Sequence, residues 1–194
     1  MRLLTLGLLA LGLSACETTP STLLRADAGS GAVVRDSISN VQPSSGDYFF
    51  VYRVDGYEVA NALFETQTGN RVDPVLSAPS QLLDPTVVER TLQARRTRLT
   101  LVGASTYATR DRAIASPLYT IVADLDFAPE AGQTYVVKGA LAAEQSTLWL
   151  ENAATGAIVG GKFLARGNTA ASLFHRPPPV EFVPVGTAEG SSTP

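Results

Sequence analysis

The clearest feature of the chain is a regular alternation of apolar and polar residues in its second half. Within residues 118–127 every second side chain is apolar. Residues 97–102 repeat the pattern, with Leu99 and Leu101 on one face and Arg98 and Thr100 on the other. A period of two residues is that of a β-strand with one buried face. The pattern therefore predicts that both segments are strands of a half-buried sheet.

Three more strands are predicted beyond residue 127. They are the mainly apolar segments 134–141, 147–152 and 157–163, which short turn-forming stretches separate at 128–132, 143–146 and 154–156. Strands joined by tight turns usually pair antiparallel with their neighbours in the chain. This part of the sequence therefore predicts a β-meander.

The first strongly apolar segment is 48–54 (YFFVYRV), which runs into Asp55-Gly56 before Tyr57 resumes the pattern. Asp-Gly suits a two-residue turn in which both central residues need a positive φ. We therefore expect a hairpin here. A turn at 68–70 leads to a short strand at 71–76, which Pro74 restricts to a sheet edge.

Residues 84–93 allow two interpretations. Asp84-Pro85 suits the start of a helix, whereas the β-branched residues that follow favour a strand over 87–93. The strand is preferred because the surrounding segments are β. Residues 103–117 are polar and rich in turn-forming residues, and they are expected to form a long loop.

About seven or eight short strands with frequent turn signals predict an all-β protein, an antiparallel β-sandwich over residues 48–164. The alternative is a small β-barrel. Residues 16–47 are rich in Ser, Thr, Gly, Asp and Pro, which predicts a tether, with an edge strand over 32–38 as an alternative. The Pro-rich residues 165–194 are expected to be mostly disordered.

The N-terminus carries the most specific motif. Met1-Arg2 and the apolar run 3–13 (LLTLGLLALGL) have the length and charge of a signal peptide, too short to span a bilayer as a helix. The run ends in Leu13-Ser14-Ala15-Cys16, which resembles a bacterial lipobox. The resemblance implies that residues 1–15 are removed and that Cys16 becomes a lipid-modified N-terminus. An ordinary secretory signal cut after Ala15 is the alternative.

Glu17 follows the cysteine. By resemblance to enterobacterial lipoproteins, where Asp at this position retains the protein in the inner membrane, Glu17 implies an outer-membrane anchor with the body facing the periplasm or the cell surface. Without Arg2, 14 basic residues face 18 acidic ones, a balance of −4. This charge does not favour a nucleic-acid partner. Acylation of the only cysteine would leave no disulfide, so stability is expected from a packed core.

A second resemblance concerns the body. Residues 127–139 (FAPEAGQTYVVKG), then 148–152 (LWLEN) and Thr155-Gly156, resemble a pattern in uncharacterised bacterial lipoproteins with transthyretin-like or immunoglobulin-like sandwiches. The resemblance covers about 40 residues of strand and turn chemistry. It implies the fold and brings no activity.

The residues needed for catalysis are not apparent in the sequence. The single histidine, His175, lies in the Pro-rich segment, the single cysteine belongs to the lipobox, and there is no Gly-x-Ser-x-Gly motif. We therefore expect no enzyme activity and no cofactor. The body offers no His or Cys ligand for zinc. Asp124 and Asp126, on one face of a strand, are the alternative site for calcium.

Two features indicate binding. Trp149 is expected to point outward if Leu148 and Leu150 face the core, as suits a protein- or glycan-binding surface. Arg90, Arg95, Arg96 and Arg98 form a basic cluster able to meet phosphates or carboxylates. We expect a non-enzymatic outer-membrane lipoprotein that presents its sandwich as a protein-binding or envelope-assembly module. The alternative is an envelope glycan or calcium binder that uses Trp149 with Asp124 and Asp126.

Overall fold

The computed structural model describes residues 31–69, 83–167 and 179–185. These residues form eleven strands and two short helices. The strands are β1 (Gly31–Arg35), β2 (Ser37–Gln42), β3 (Ser45–Val54), β4 (Tyr57–Glu58), β5 (Glu89–Gln93), β6 (Thr97–Tyr107), β7 (Thr120–Phe127), β8 (Thr134–Ala140), β9 (Gln145–Asn152), β10 (Gly161–Arg166) and β11 (Val180–Pro184). The helices are α1 (Ala62–Gly69) and α2 (Arg110–Ala115).

The strands form two sheets that pack face to face. The six-stranded sheet has the order β11-β10-β9-β8-β1-β5, and the five-stranded sheet has the order β2-β3-β6-β7 with β4 paired to β3. All paired neighbours are antiparallel except β1 and β8, which are parallel. Apolar side chains of both sheets form one core that includes Val34, Phe49, Leu101 and Leu150. The predicted all-β, sandwich-like architecture is thus confirmed, and the described strands do not form the barrel alternative.

The expected hairpin is present. Val54 pairs with Tyr57 across the turn, and Asp55 and Gly56 have φ values of 51° and 86°. Positive φ at both positions is what a type I′ turn requires. The strand interpretation of residues 84–93 is also confirmed, because β5 pairs antiparallel with β1. This strand begins at Glu89, two residues later than predicted, and the helix alternative is wrong.

The folded body begins earlier than the sequence indicated. The prediction of a tether over 16–47 is wrong for residues 31–47, where β1, β2 and the start of β3 are integral to the sheets. β1 is not an edge strand, since it lies between β8 and β5 with Ala32 and Val34 fully buried. The chain then crosses at Asp36 to the other sheet, where β2 forms an edge. β2 has few apolar residues, and its side chains are half-buried or exposed. This is why the sequence of β2 did not indicate a strand.

Other boundaries also differ from the predictions, and the strand predicted over 157–163 is β10, which begins at Gly161. The loop expected over 103–117 is wrong in part, since β6 continues to Tyr107 and α2 follows. The disorder expected over 165–194 is wrong for β11, which pairs antiparallel with β10 through its backbone while most of its side chains are exposed. Such a strand has little alternation to detect. Cys16, His175 and the strand predicted at 71–76 lie outside the described residues.

A second, smaller apolar cluster covers the outer face of the five-stranded sheet. α1 contributes Ala62, β3 contributes Tyr48 and Phe50, and β6 contributes Val102 and Ala104. The segment YFFVYRV is therefore apolar at consecutive positions because β3 is buried on both faces. α1 partly covers this face, whereas Trp149 lies on the outer face of the six-stranded sheet.

Candidate functional site

Trp149 lies near the middle of the outer face of the six-stranded sheet. Leu148 and Leu150 are fully buried in the core, so the predicted outward direction of Trp149 is confirmed. The indole is half-buried rather than freely exposed. Lys138 of β8 pairs with Trp149, and Lys162 of β10 places its Nζ 4.5 Å from the centre of the indole ring.

These side chains form a row that crosses four neighbouring strands. We call it the tryptophan row: Lys138, Trp149, Lys162 and Val183, the last of which pairs with Lys162 and is 39% exposed. The row contains the only tryptophan and both lysines of the chain. Long side chains on neighbouring strands interact directly at this spacing.

Glu151 accepts hydrogen bonds from two members of the tryptophan row, Trp149 and Lys138. It lies two residues along β9 from Trp149, and its Oε2 accepts a hydrogen bond of 3.1 Å from the indole Nε1. Its Oε1 accepts a bond of 2.6 Å from Lys138 Nζ. The hydrogen bond from Lys138, the indole hydrogen bond and the charges of both lysines hold the pKa of Glu151 below its usual value. The carboxylate therefore stays ionised and holds the indole in one orientation.

The arginine cluster predicted from the sequence does not form one surface. Arg90 is only 8% exposed and pairs with the buried Asp36. Arg95 Nη2 lies 2.7 Å from Asp55 Oδ2 on the hairpin turn. Arg90 therefore has a structural position, and the guanidinium of Arg95 already has a carboxylate partner.

The other two arginines face Asp124 and Asp126, the carboxylates of the calcium alternative. Arg98 Nη2 lies 2.8 Å from Asp124 Oδ2, and Arg96 Nη2 lies 3.8 Å from Asp126 Oδ2. The hydroxyl of Thr100 and then Arg98 lower the pKa of Asp124. Within the described parts of the chain no group of three or more His, Cys, Asp or Glu side chains is arranged to hold a metal ion. Binding by Arg95, Arg96 and Arg98 stays a prediction.

Sequence reasoning found Trp149 and missed its partners. Lys138 and Lys162 each lie on a predicted strand next to that of Trp149, which is the signal that was present. Placing them in one row requires the register of β8 and β10 against β9, which the alternation within each strand does not give. Val183 was missed because β11 was not predicted.

Comparison of the chain with family models, with curated proteins and with solved structures finds no match. Neither helix in residues 31–69, 83–167 and 179–185 has the length and apolar character needed to cross a membrane.

Proposed function

We propose that this protein is a non-enzymatic lipoprotein whose sandwich binds a protein of the cell envelope through the tryptophan row. The observation that carries the proposal is the half-buried Trp149, which Glu151 and Lys162 contact on the outer face of the six-stranded sheet. Tryptophan is enriched among residues that dominate binding energy at protein interfaces. A side chain already held by Glu151 and Lys162 loses little conformational freedom when a partner binds.

The chemistry of the row favours a protein over a glycan. A sugar ring stacks on an open aromatic face, but the ammonium group of Lys162 lies over the indole of Trp149. Cation–π contact of this kind contributes about 0.5–1 kcal/mol at exposed sites, and a stacking sugar would have to displace it. An acidic protein surface could instead contact Lys162 and the edge of the indole together. The expected partner surface is therefore acidic with an apolar centre that meets Val183.

Calcium binding is less favoured than binding of a protein or of a glycan. Asp124 and Asp126 already face Arg98 and Arg96, and a cation would have to compete with both guanidinium groups. A calcium ion takes about six to eight oxygen ligands, and two carboxylates on one strand supply few of them.

The proposed location is the outer membrane, with Cys16 lipidated and the body in the periplasm or at the cell surface. The lipobox resemblance of residues 13–16 and Glu17 support it. We also propose that the sandwich is of the transthyretin-like or immunoglobulin-like kind, which the two packed sheets support. Metabolic labelling with a fatty-acid probe tests the anchor. Label on the wild-type chain that Cys16→Ser abolishes is expected, and label that persists in Cys16→Ser contradicts it.

Crosslinking in intact cells followed by pull-down tests the binding role. A stoichiometric protein partner is expected, lost with Trp149→Ala and reduced with Lys162→Glu. The matched control is Tyr57→Ala, which removes a 66% exposed aromatic side chain on β4 of the other sheet and should leave capture unchanged. Circular dichroism verifies that each variant folds. If purified protein instead binds peptidoglycan and Trp149→Ala abolishes that binding, the glycan alternative replaces this proposal.

A further inference from the structure

At one end of the core, the inward-facing side chains change from apolar to polar between Phe49 and Asp47 of β3. Phe49, Gly103 and Ile121 form a cross-strand row inside the five-stranded sheet. Two residues along β3, the next position on that face is Asp47, which pairs with Ser105 of β6. The apolar interior therefore ends at a carboxylate and a hydroxyl.

A cleft of about 360 Å³ opens at this polar end. Its lining includes the polar side chains of Asn40, Gln42, Asp47, Ser105, Tyr107 and Tyr119, with Leu141 from the segment after β8. Ligand sites in proteins range over about 300–1,000 Å³, so this cleft has the size of a site for a small molecule. It lies at the end of the sandwich and does not include any residue of the tryptophan row.

Asn40 is aimed at the carboxylate by an irregular backbone. The pairing of β2 with β3 shifts register between Ser39 and Gln42, and Asn40 within this bulge has a φ of 49°. Its Nδ2 donates a hydrogen bond of 2.6 Å to Asp47 Oδ2. Bulges commonly redirect side chains next to functional sites, and Asn tolerates the left-handed conformation better than most residues.

Asp47 differs from the other buried aspartate of the described residues. Asp36 accepts hydrogen bonds from the guanidinium of Arg90 and from two backbone N–H groups. Asp47, at 9% exposure, accepts a side-chain bond from Asn40 alone among these residues, and no Lys or Arg of the described chain lines the cleft. Burial raises the pKa of Asp47, and the bond from Asn40 acts in the opposite direction. Asp47 is thus a carboxylate beside an open cleft, with no positive partner among residues 31–69, 83–167 and 179–185.

We propose that the cleft binds a small polar ligand carrying an ammonium group, with Asp47 as its counter-charge. An ammonium offers three hydrogen-bond donors, and a charge-assisted bond to a carboxylate is among the stronger kinds. The hydroxyl groups of Ser105 and Tyr107 already bond backbone groups of Tyr119 and Pro117. The amide of Gln42 suits an additional hydroxyl or carbonyl group on the same ligand. An anion would be repelled by Asp47, and an apolar molecule would bury the Asp47 carboxylate without a counter-charge.

Titration of the protein with ethanolamine and with glucosamine, followed by two-dimensional NMR at pH 7, tests the proposal. N-acetylglucosamine is the matched ligand, since it keeps the sugar and lacks the ammonium group. Both amines are expected to shift signals of residues around the cleft. N-acetylglucosamine is expected to bind more weakly than glucosamine by about tenfold or more. Equal binding of glucosamine and N-acetylglucosamine would overturn the proposal, as would failure of both amines to bind.

Variants locate the site. Asp47→Asn keeps the shape and removes the charge, and it should weaken amine binding about tenfold or more. Gln42→Arg, at an exposed position, places a competing guanidinium at the cleft and should weaken binding even if Asp47→Asn does not fold. Asp126→Asn, which removes a 62% exposed carboxylate remote in sequence from this lining, is the control and should bind normally. Amine binding that is insensitive to Gln42→Arg, and to Asp47→Asn where it folds, would show that the amine binds elsewhere.

Discussion

Asp36 and Arg90 form a buried, bidentate ion pair at the point where the chain passes from one sheet to the other. Arg90 Nη1 lies 2.6 Å from Asp36 Oδ1, and Arg90 Nη2 lies 2.8 Å from Asp36 Oδ2. The same carboxylate accepts the backbone N–H groups of Val51 in β3 and Ala62 at the start of α1. One side chain therefore ties β1, β3, β5 and α1 together.

Arg90→Met tests the importance of this pair. Removing one partner leaves a buried charge uncompensated, which typically costs about 3–5 kcal/mol. We expect a loss of this size in the free energy of unfolding at neutral pH, measured by urea denaturation. Arg96→Met is the control, because Arg96 is 80% exposed and pairs loosely with Asp126. A similar loss in both variants would contradict the prediction.

The loss in Arg90→Met should also depend on pH. Burial already raises the pKa of Asp36, while the hydrogen bonds and charge of Arg90 act to lower it. Without Arg90 the pKa should rise further. When folding raises the pKa of a carboxyl group, the protein is most stable with that group protonated. This part of the free energy of unfolding is lost as pH rises through the folded-state pKa. The deficit of the variant should therefore grow from about pH 4 upward, and a deficit independent of pH would argue against a buried charge at Asp36.

Phe49 occupies a gap that two glycines leave open. A methyl group on Gly139 would lie 2.4 Å from Phe49 Cε1 and 2.4 Å from the carbonyl oxygen of Thr147, whereas one on Gly103 would lie 2.9 Å from Ile121 Cγ2. Overpacking of this kind costs about 1–3 kcal/mol. Gly139→Ala should lower the melting temperature most, Gly103→Ala less, and Gly46→Ala least, since its nearest neighbour is 3.3 Å away on the Tyr48 side chain. A reversed order would contradict the packing described.

The sequence predicted the elements whose signals are local. The alternation in β7, the turn at Asp55-Gly56 and the outward direction of Trp149 all follow from spacing within one strand or one hairpin. β1 and β11 gave weak signals, because β1 has only a few apolar residues and β11 is bound mainly by its backbone. The tryptophan row and the Asp47 cleft join strands that are distant in the chain, and the register between such strands does not follow from the alternation within one strand.

The turn residue Asp55 should respond differently to two substitutions. Its carboxylate accepts hydrogen bonds from Thr97 Oγ1 at 2.7 Å, from the N–H of Arg98 at 2.8 Å and from Arg95 Nη2 at 2.7 Å. Asp55→Asn keeps a residue that tolerates positive φ, whereas Asp55→Ala also adds backbone strain of about 1–2 kcal/mol. Asp55→Ala should therefore unfold at a lower urea concentration than Asp55→Asn. Equal midpoints would indicate that the φ of 51° costs nothing at this position.

The same carboxylate predicts a loss of stability in acid. The bond from Thr97 and then that from the Arg98 N–H lower the pKa of Asp55. A lowered carboxyl pKa contributes stability that is present above the unfolded value of about 3.9 and is lost as pH falls through the folded-state pKa. Asp55→Asn should therefore narrow the difference in stability between pH 5 and pH 3, measured by thermal unfolding. If the difference in stability between pH 5 and pH 3 is unchanged in Asp55→Asn, Asp55 does not contribute to the loss of stability in acid.

Trp149 reports on its own neighbours, because it is the only tryptophan in the chain. Glu151 accepts the indole N–H, and the bond from Lys138 is the first cause of its lowered pKa. Protonation of Glu151 should weaken both bonds, so tryptophan fluorescence should change with a midpoint below the ordinary pKa of a glutamate. Glu151→Gln should abolish this transition, while Glu58→Gln, on the other sheet, should leave it in place. A midpoint at or above the ordinary value, or a transition that survives in Glu151→Gln, would show that the carboxylate does not hold the indole, and the preordered surface proposed for partner binding would lose its main support.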